Sequence, residues 1–311
     1  MRVITQKQVG EASEVLEVAE AAKPEPEPGQ VLVKVEAAGV NPADFAVSAG
    51  YYPLLGEPPF TLGWDVAGTV EAVGPGVSRF SAGDQVFGMP AFPGEGRTHA
   101  DYVAASANEL AFRPDALSVV EAGALPLAGL TAYQALAGIA RLRKGQRVLV
   151  HRAAGGVGHL AVQIAKALGA HVIATASAAK HEFVRSLGAD EVIDYRSTDY
   201  TEALADLDVV LDLVAGENGP RSASVLKKGG LLISALSANM GLDQDEAAAR
   251  GIRLVPVSVR PSAHDLERLA ELAGRGELRV RVDEEIPLTD AARAYTLAGS
   301  GTVTGKIVLI P

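Results

Sequence analysis

The sequence predicts an α/β protein in two parts: an antiparallel, barrel-like β domain and a doubly wound parallel sheet of six strands. Two observations predict it. From residue 147 to residue 259, short apolar runs alternate with helical patterns, as strands buried on both faces do when helices separate them. Before about residue 110, short strands are instead punctuated by glycine and proline turns, the pattern of an antiparallel sheet.

Each element has its own signal. The opening MRVITQKQVG lacks the long apolar core of a signal peptide. Residues 23–29 (KPEPEPG) are a proline-rich loop, and 31–37 alternate as a half-buried strand. Residues 68–73 (GTVEAV) do the same and stop at the turn Gly74-Pro75-Gly76. The parallel half begins with a strand over 147–151 (RVLVH), whose β-favouring residues run directly into Gly155, Gly156 and Gly158. Apolar residues then recur at helical spacing through Leu168, and Gly169 ends the helix. Residues 171–177 are the second strand, 182–188 lie in a helix ended by glycine, and 191–195 are the third strand. The fourth, fifth and sixth strands are placed at 208–214, 230–236 and 252–259. Residues 302–311 (TVTGKIVLIP) form a last strand, assigned to the first domain because the six-stranded sheet is already complete. Residues 251–260 would end that sheet at an unpaired edge, so a homodimer is expected.

The strand–glycine–helix passage carries the chemistry. It aims unpaired backbone N–H groups and the positive helix end at whatever sits above the turn, and a dinucleotide diphosphate is the usual occupant. Ala153 stands where the G-x-G-x-x-G pattern has its first glycine, and it costs little if its φ is negative. Gly155 matters more, because a side chain there would hold the backbone away from phosphates. Ala153, Gly155, Gly156 and Val157 are therefore the candidate diphosphate cradle. NAD-preferring sites place an acid at the end of the second strand, about 20 residues past the turn. Here residues 176–180 read ASAAK, without one. Ser177 can hydrogen-bond a 2′-phosphate, Lys180 can pair with it, and Tyr195 ends the neighbouring third strand, so the expected cofactor is NADPH.

Composition narrows the classes. The chain has 311 residues, 48% hydrophobic and 21% charged, which suits a globular protein with two cores. No apolar run reaches the roughly 18 residues of a membrane span. The formal charge of −10 argues against a nucleic-acid partner. There are no cysteines, so disulfides, thiolate catalysis and Cys-ligated zinc are excluded, and a cytoplasmic protein is expected. The six histidines, at 99, 151, 159, 171, 181 and 264, show no ligand-pair spacing, so no metal site is expected.

Several segments together resemble one family. They are 37–44 (AAGVNPAD), 63–74 (GWDVAGTVEAVG), 83–86 (GDQV), 125–136 (LPLAGLTAYQAL), the glycine turn and 187–195 (LGADEVIDY). The chain resembles the medium-chain dehydrogenase/reductase superfamily, specifically its zinc-free quinone oxidoreductase and enone reductase branch. The resemblance implies a GroES-like barrel over 1–120 and 265–311, a Rossmann NADP-binding domain over 121–264, and an active site in the cleft between them. It sets Asn41, Trp64 and Leu127 where zinc-bearing relatives have their catalytic ligands, and 88–100 has no counterpart of their structural-zinc lobe. It makes Asn41 and Tyr52 the catalytic candidates. Asn41 would lie beside the nicotinamide, holding the ribose or facing substrate. Tyr52 would line the pocket, as hydrogen-bond donor or as apolar wall. Thr131 matches a contact to the nicotinamide-side phosphate, or else bonds its own helix. Val214, with Ala215, ends the fourth strand where backbone approaches the cofactor, and Lys306 matches a tail position that reaches it. Asp44 and Asp65 read as structural carboxylates. Arg152 either touches phosphate or covers the strand end. Ala46 and Ser48 replace a tyrosine and an arginine of the best-known quinone reductases, which implies a more open, less basic pocket.

The implied activity is NADPH-dependent hydride transfer to a quinone or α,β-unsaturated carbonyl, with no general acid named. Two alternatives stay open. One is a trans-acting enoyl-thioester reductase, for which Arg141, Arg143, Lys144 and Arg147 would be either a carrier-binding patch or a solvated loop. The other is a cofactor-binding protein of this fold without redox turnover.

Overall fold

Short runs of valine, leucine and isoleucine form a sheet in which every strand is parallel to its neighbours. In spatial order the six strands are Glu191–Asp194, His171–Ala176, Arg147–Val150, Leu207–Asp212, Leu226–Ser234 and Arg253–Pro256. The order reverses direction beside Arg147–Val150, the first strand in sequence, and places Arg253–Pro256 at an edge. Helices cover the sheet, and Leu149, Ile173, Val210, Leu232 and Leu254 are buried beneath them. The computed structural model describes residues 1–235 and 240–311. It divides into two units, Thr131–Val259 and Met1–Leu130 with Arg260–Pro311.

The strands differ in length from the sequence reading for local reasons. The fourth stops at Asp212, not Val214, because the Asp212 Oδ1 accepts the backbone N–H groups of Val214 (2.8 Å) and Ala215 (3.1 Å) and turns the chain. The fifth starts at Leu226 and crosses a register shift opposite Leu207 and Val209. Its predicted end, Leu236, lies outside the described residues. The sixth ends at Pro256, whose nitrogen carries no hydrogen for the ladder.

The other unit is built around one long strand, Gln30–Val40. It pairs antiparallel with Val66–Val73, Tyr102–Ser106 and Lys306–Ile310 within a seven-stranded sheet. Shared by three partners, it is largely buried on both faces rather than half-buried, and only Lys34 is exposed. The carboxyl-terminal strand thus does return to this unit, beside Val282–Pro287. A smaller sheet joins Leu16–Glu20, Arg2–Gln6 and Phe60–Thr61.

Residues 121–130 and 260–264 go with this unit, whereas the sequence reading gave them to the cofactor domain. The reason is close packing. The helix Val119–Ala124 lies so near Gln30–Val40 that a Cβ on Gly123 would stand 2.7 Å from the Ala37 Cβ. The helix Ala263–Gly274 is tied in through Glu267, which pairs with Arg79 at 2.7 Å. Among the described residues no helix is long and apolar enough to cross a membrane.

Candidate functional site

The strand Arg147–Val150 leads through residues 151–155 into the helix Gly156–Ala167, with Gly155 as N-cap at φ −84° and ψ −178°. The left-handed step of the turn falls on Arg152 (φ 48°) and not on Ala153, so an alanine serves where the usual pattern has glycine. Ala153 is buried, and its N–H donates to the Thr175 carbonyl at 3.0 Å, fastening the turn to the second strand. Gly158 is required by packing: a Cβ there would lie 2.2 Å from the Arg152 carbonyl oxygen. Gly155 is held less tightly: its Cβ would meet that oxygen at 3.3 Å, so the neighbour need give only a few tenths of an ångström. His159, given no role in the sequence reading beyond not being a metal ligand, donates from Nδ1 to the Gly155 carbonyl at 2.9 Å and steadies the cap. Gly156 and Val157 begin the helix, where backbone N–H groups lack partners one turn back.

The other cofactor candidates stand at the same carboxyl-end edge of the sheet, where open α/β sheets bind ligands. Ser177 caps the short turn Ala178–Lys180, and the Lys180 N–H donates to its carbonyl at 2.8 Å. Tyr195 is 55% exposed, with the Arg196 guanidinium 5.7 Å from its ring centre. Val214 is exposed beside Ala215, which takes φ 64°. The register also sets Asp194 opposite Ala176, so an acid does stand near this strand end, on the third strand rather than the second. Its Oδ1 accepts the Arg196 N–H at 3.0 Å. Thr131 lies apart from these groups in sequence, buried within the helix Pro126–Tyr133.

Behind the edge lies a buried polar set that sequence reasoning did not assemble. His151 Nδ1 meets the Thr175 hydroxyl at 3.0 Å and Nε2 meets the Ser222 hydroxyl at 3.1 Å. Burial holds the imidazole down to a pKa of about 4, so it is neutral there. Asp212 is equally buried. Its Oδ1 serves the fourth-strand turn and the Asn218 amide, while Oδ2 has no partner among the described residues.

In the other unit the structure joins Asn41, Asp65 and Lys306, all buried. Asn41 caps the helix Pro42–Ser48, and its backbone N–H donates to the Asp44 carboxylate at 2.7 Å. The Asn41 amide nitrogen donates to Asp65 Oδ2 at 2.9 Å. The Lys306 ammonium donates to the Asn41 amide oxygen and, at 3.1 Å, to Asp65 Oδ2. Asp65 Oδ1 accepts the Leu127 N–H at 2.6 Å. An ammonium has only donors, which fixes the amide with its oxygen toward Lys306 and its nitrogen toward Asp65. Burial pushes the Asp65 carboxyl up from its ordinary value, opposed first by Lys306 and then by Asn41 and Leu127.

Asp44 also accepts the Gly63 N–H at 3.1 Å, yet burial still raises it to about 7. His99 meets the Tyr295 hydroxyl at 2.9 Å and is held down to about 4, again by burial. Tyr52 lies outside this cluster, 40% exposed in the loop after the helix, with its N–H on the Ala46 carbonyl at 3.1 Å. Trp64 is fully buried, and its indole N–H donates to the Gly94 carbonyl at 2.6 Å. Among the described residues no group of three or more His, Asp or Glu side chains is placed to hold a metal ion.

Comparison with known proteins agrees with this architecture. Residues 27–137 match the alcohol dehydrogenase GroES-like domain, and residues 187–309 match a model described as zinc-binding dehydrogenase. The chain is 34% identical over 344 residues to the chloroplast envelope quinone oxidoreductase homolog of Arabidopsis thaliana, covering 100% of this chain and 98% of that protein. The quinone oxidoreductase structure from Coxiella burnetii matches with a TM-score of 0.94 at 34% identity, covering 100% of this chain and 99% of the other. The Escherichia coli quinone oxidoreductase complexed with NADPH matches with a TM-score of 0.91 at 31% identity, covering all of both chains.

Proposed function

From the premise that the chain belongs to the quinone oxidoreductases of the medium-chain dehydrogenase/reductase superfamily, with a GroES-like domain and a Rossmann sheet, we propose a zinc-independent, NADPH-dependent reductase of quinones or α,β-unsaturated carbonyls. The observation that carries the reading is the buried ammonium of Lys306 against Asn41 and Asp65. These residues do not fit a zinc ion. The Asn41 oxygen is already bonded to a cation, the Trp64 N–H is a donor engaged elsewhere, and the Leu127 side chain has no ligand atom. A dication would also be repelled by Lys306. Alcohol oxidation, which relies on a Lewis acid, is therefore disfavoured, and reduction of a conjugated acceptor needs less assistance.

NADPH fits the other unit: Gly155, Gly156 and Val157 form the helix start that would take its diphosphate, with the buried Ala153 just before it. Ser177 and Lys180, with no acid on their own strand end, favour the 2′-phosphate, and Tyr195 and Val214 flank the same edge. Thr131 is kept as a phosphate contact by resemblance. When bound, the cofactor supplies hydride to the electrophilic carbon of the acceptor. Negative charge then gathers on the acceptor oxygen, where the Tyr52 hydroxyl can donate a hydrogen bond, and solvent supplies the completing proton. Asn41, held by Lys306 and Asp65, shapes the wall of the site. Two further parts of the reading are a homodimer through the edge strand Arg253–Pro256, checked by light scattering at micromolar concentration, and residence in the cytoplasm.

The test mixes the protein with NADPH and a panel of quinones, enones and a crotonyl thioester, following NADPH absorbance. Turnover with quinones or enones supports the proposal, and turnover with the thioester alone assigns an enoyl-thioester reductase. NADPH binding without turnover of any acceptor refutes the reductase and leaves a cofactor-binding protein. Lys180→Ala should narrow the preference for NADPH over NADH about tenfold, the effect of losing one charge-assisted contact.

A further inference from the structure

Most arginines of this acidic chain find an acceptor. Arg2 bonds Asp101, Arg79 bonds Glu267, Arg221 bonds Asp199, and Arg293 bonds Glu284. The guanidinium groups of Arg141, Arg143, Arg152, Arg185 and Arg253 make no hydrogen bond, ion pair or ring contact among the described residues. Three of these, Arg141, Arg143 and Arg253, line a single hollow of about 490 Å³ with Ile139 and Gln146. Like charges gathered in one concavity, in a chain with ten more acids than bases, leave a local field that the protein itself does not neutralise.

Local structure explains how the three come together. Arg141 follows the helical turn Gln134–Ile139 in a left-handed conformation, φ 48°, which swings the chain back toward the sheet. Gln146 accepts the Arg143 N–H at 2.8 Å and fixes that loop. Arg253 is the first residue of the edge strand Arg253–Pro256, and Arg147 is the first of Arg147–Val150. The hollow therefore sits at the amino-terminal edge of the parallel sheet, and the glycine cradle sits at the carboxyl-terminal edge. The carboxylate nearest in the bonding network is Asp208. It takes a 2.8 Å bond from the Arg147 N–H and pairs with Lys227 at 2.5 Å, so it is already balanced. The carbonyls ending the helical turn would draw cations too, but none of the three guanidinium groups donates to one among the described residues.

We propose that this hollow is a second anion site, for a small molecule bearing a diphosphate group. Three guanidinium groups balance the roughly three negative charges of a terminal diphosphate at neutral pH, and their forked donors suit its oxygens in pairs. The volume exceeds that of a lone ion, and Ile139 offers an apolar surface to whatever carries the diphosphate.

Calorimetric titration with inorganic diphosphate and with ADP tests the site, run on protein alone and on protein saturated with NADPH. The wild type should bind both probes with or without NADPH, more weakly at higher salt. Arg143→Ser with Arg253→Ser should weaken binding at least tenfold, while Arg185→Ser, in the helix His181–Ser186, leaves it unchanged. All three positions are exposed, and an unchanged Tm confirms folding. With NADPH filling the glycine cradle, no saturable binding, or binding that survives the double substitution, overturns the proposal. A glutamate-rich peptide of equal charge binding as tightly would assign the hollow to an acidic protein surface, and would overturn it as well. Because the paired variants are compared with and without cofactor, failure of the NADPH reading would not imitate either result.

Discussion

Gly155 and Gly158 stand three residues apart in one turn, yet the structure assigns them different work, and replacing each by alanine separates the two. A methyl group on Gly158 would sit 2.2 Å from the Arg152 carbonyl oxygen and 2.8 Å from the Ala153 Cα, where ordinary contact begins near 3.4 Å. The helix start must retreat by about 1.2 Å, and overpacking of that kind costs about 1–3 kcal/mol. Gly158→Ala should therefore lose stability and cofactor affinity together. A methyl on Gly155 meets only that same oxygen, at 3.3 Å, and the residue's φ of −84° is open to alanine. Gly155→Ala should cost less than about 1 kcal/mol, mostly as a weaker N-cap. It would nevertheless place a methyl beside the N–H groups proposed to face a phosphate. Losing one or two charge-assisted bonds, worth about 1.5–3 kcal/mol each, raises the Kd for NADPH by about 10-fold to more than 100-fold. Urea unfolding and a fluorescence titration with NADPH measure the two quantities. If Gly155→Ala binds NADPH as the wild type does, the turn is not where the diphosphate rests. If Gly158→Ala is as stable as the wild type, the packing argument fails.

Other outcomes follow from the buried charges and the strained turn. Lys306→Met strands the Asp65 carboxylate and should cost about 3–5 kcal/mol in urea unfolding, while Lys306→Met with Asp65→Asn should recover about half; strict additivity would show the pair to be uncoupled. Asp44 is raised from 3.8 to about 7 by burial, so the native state holds its proton longer than the unfolded chain does. Its burden is absent below pH 4 and grows to about 4 kcal/mol by pH 7, so Asp44→Asn should flatten that fall in stability; an unchanged pH profile would refute the assignment. His99 and His151, held down to about 4, act with the opposite sign. Their contribution is complete above pH 6.5 and is lost as pH falls toward 4, which acid titration of tryptophan fluorescence can follow. Arg152→Gly relieves a left-handed φ of 48° and should raise stability by up to about 1 kcal/mol. An unchanged Kd for NADPH in that variant would mean Arg152 covers the strand end, and a weakened one would mean it touches phosphate.

The parallel half was legible because its signals are local. A run such as VLV can be buried on both faces only in a covered sheet, and the glycines after it mark the turn within a few residues. Errors there came from polar side chains acting on nearby backbone. Asp212 ends the fourth strand early through its own Oδ1. The expectation that alanine is tolerated at position 153 holds, because the left-handed step falls on Arg152. Asp194 escaped notice at the cofactor edge because only the register between two parallel strands brings it beside Ala176.

The antiparallel unit is harder to read for a reason of distance along the chain. Asn41 and Asp65 are 24 residues apart, and Lys306 lies 265 residues from Asn41. No periodicity links such positions, so resemblance alone suggested that Asn41 and Lys306 belong near one site, and it assigned Asp65 a structural part. The traces were present as charge in apolar company. Lys306 opens KIVLI, whose next three residues are buried, and Asp65 sits in GWDVAG, where every residue is buried. A lysine and an aspartate drawn into such surroundings must meet a partner, because either alone would cost several kcal/mol. Asn41 is the third member because its amide can serve both at once, accepting from the ammonium and donating to the carboxylate. The reading of the site as zinc-independent rests on that triad more than on the absence of cysteine, since it explains what occupies the donor atom at position 41.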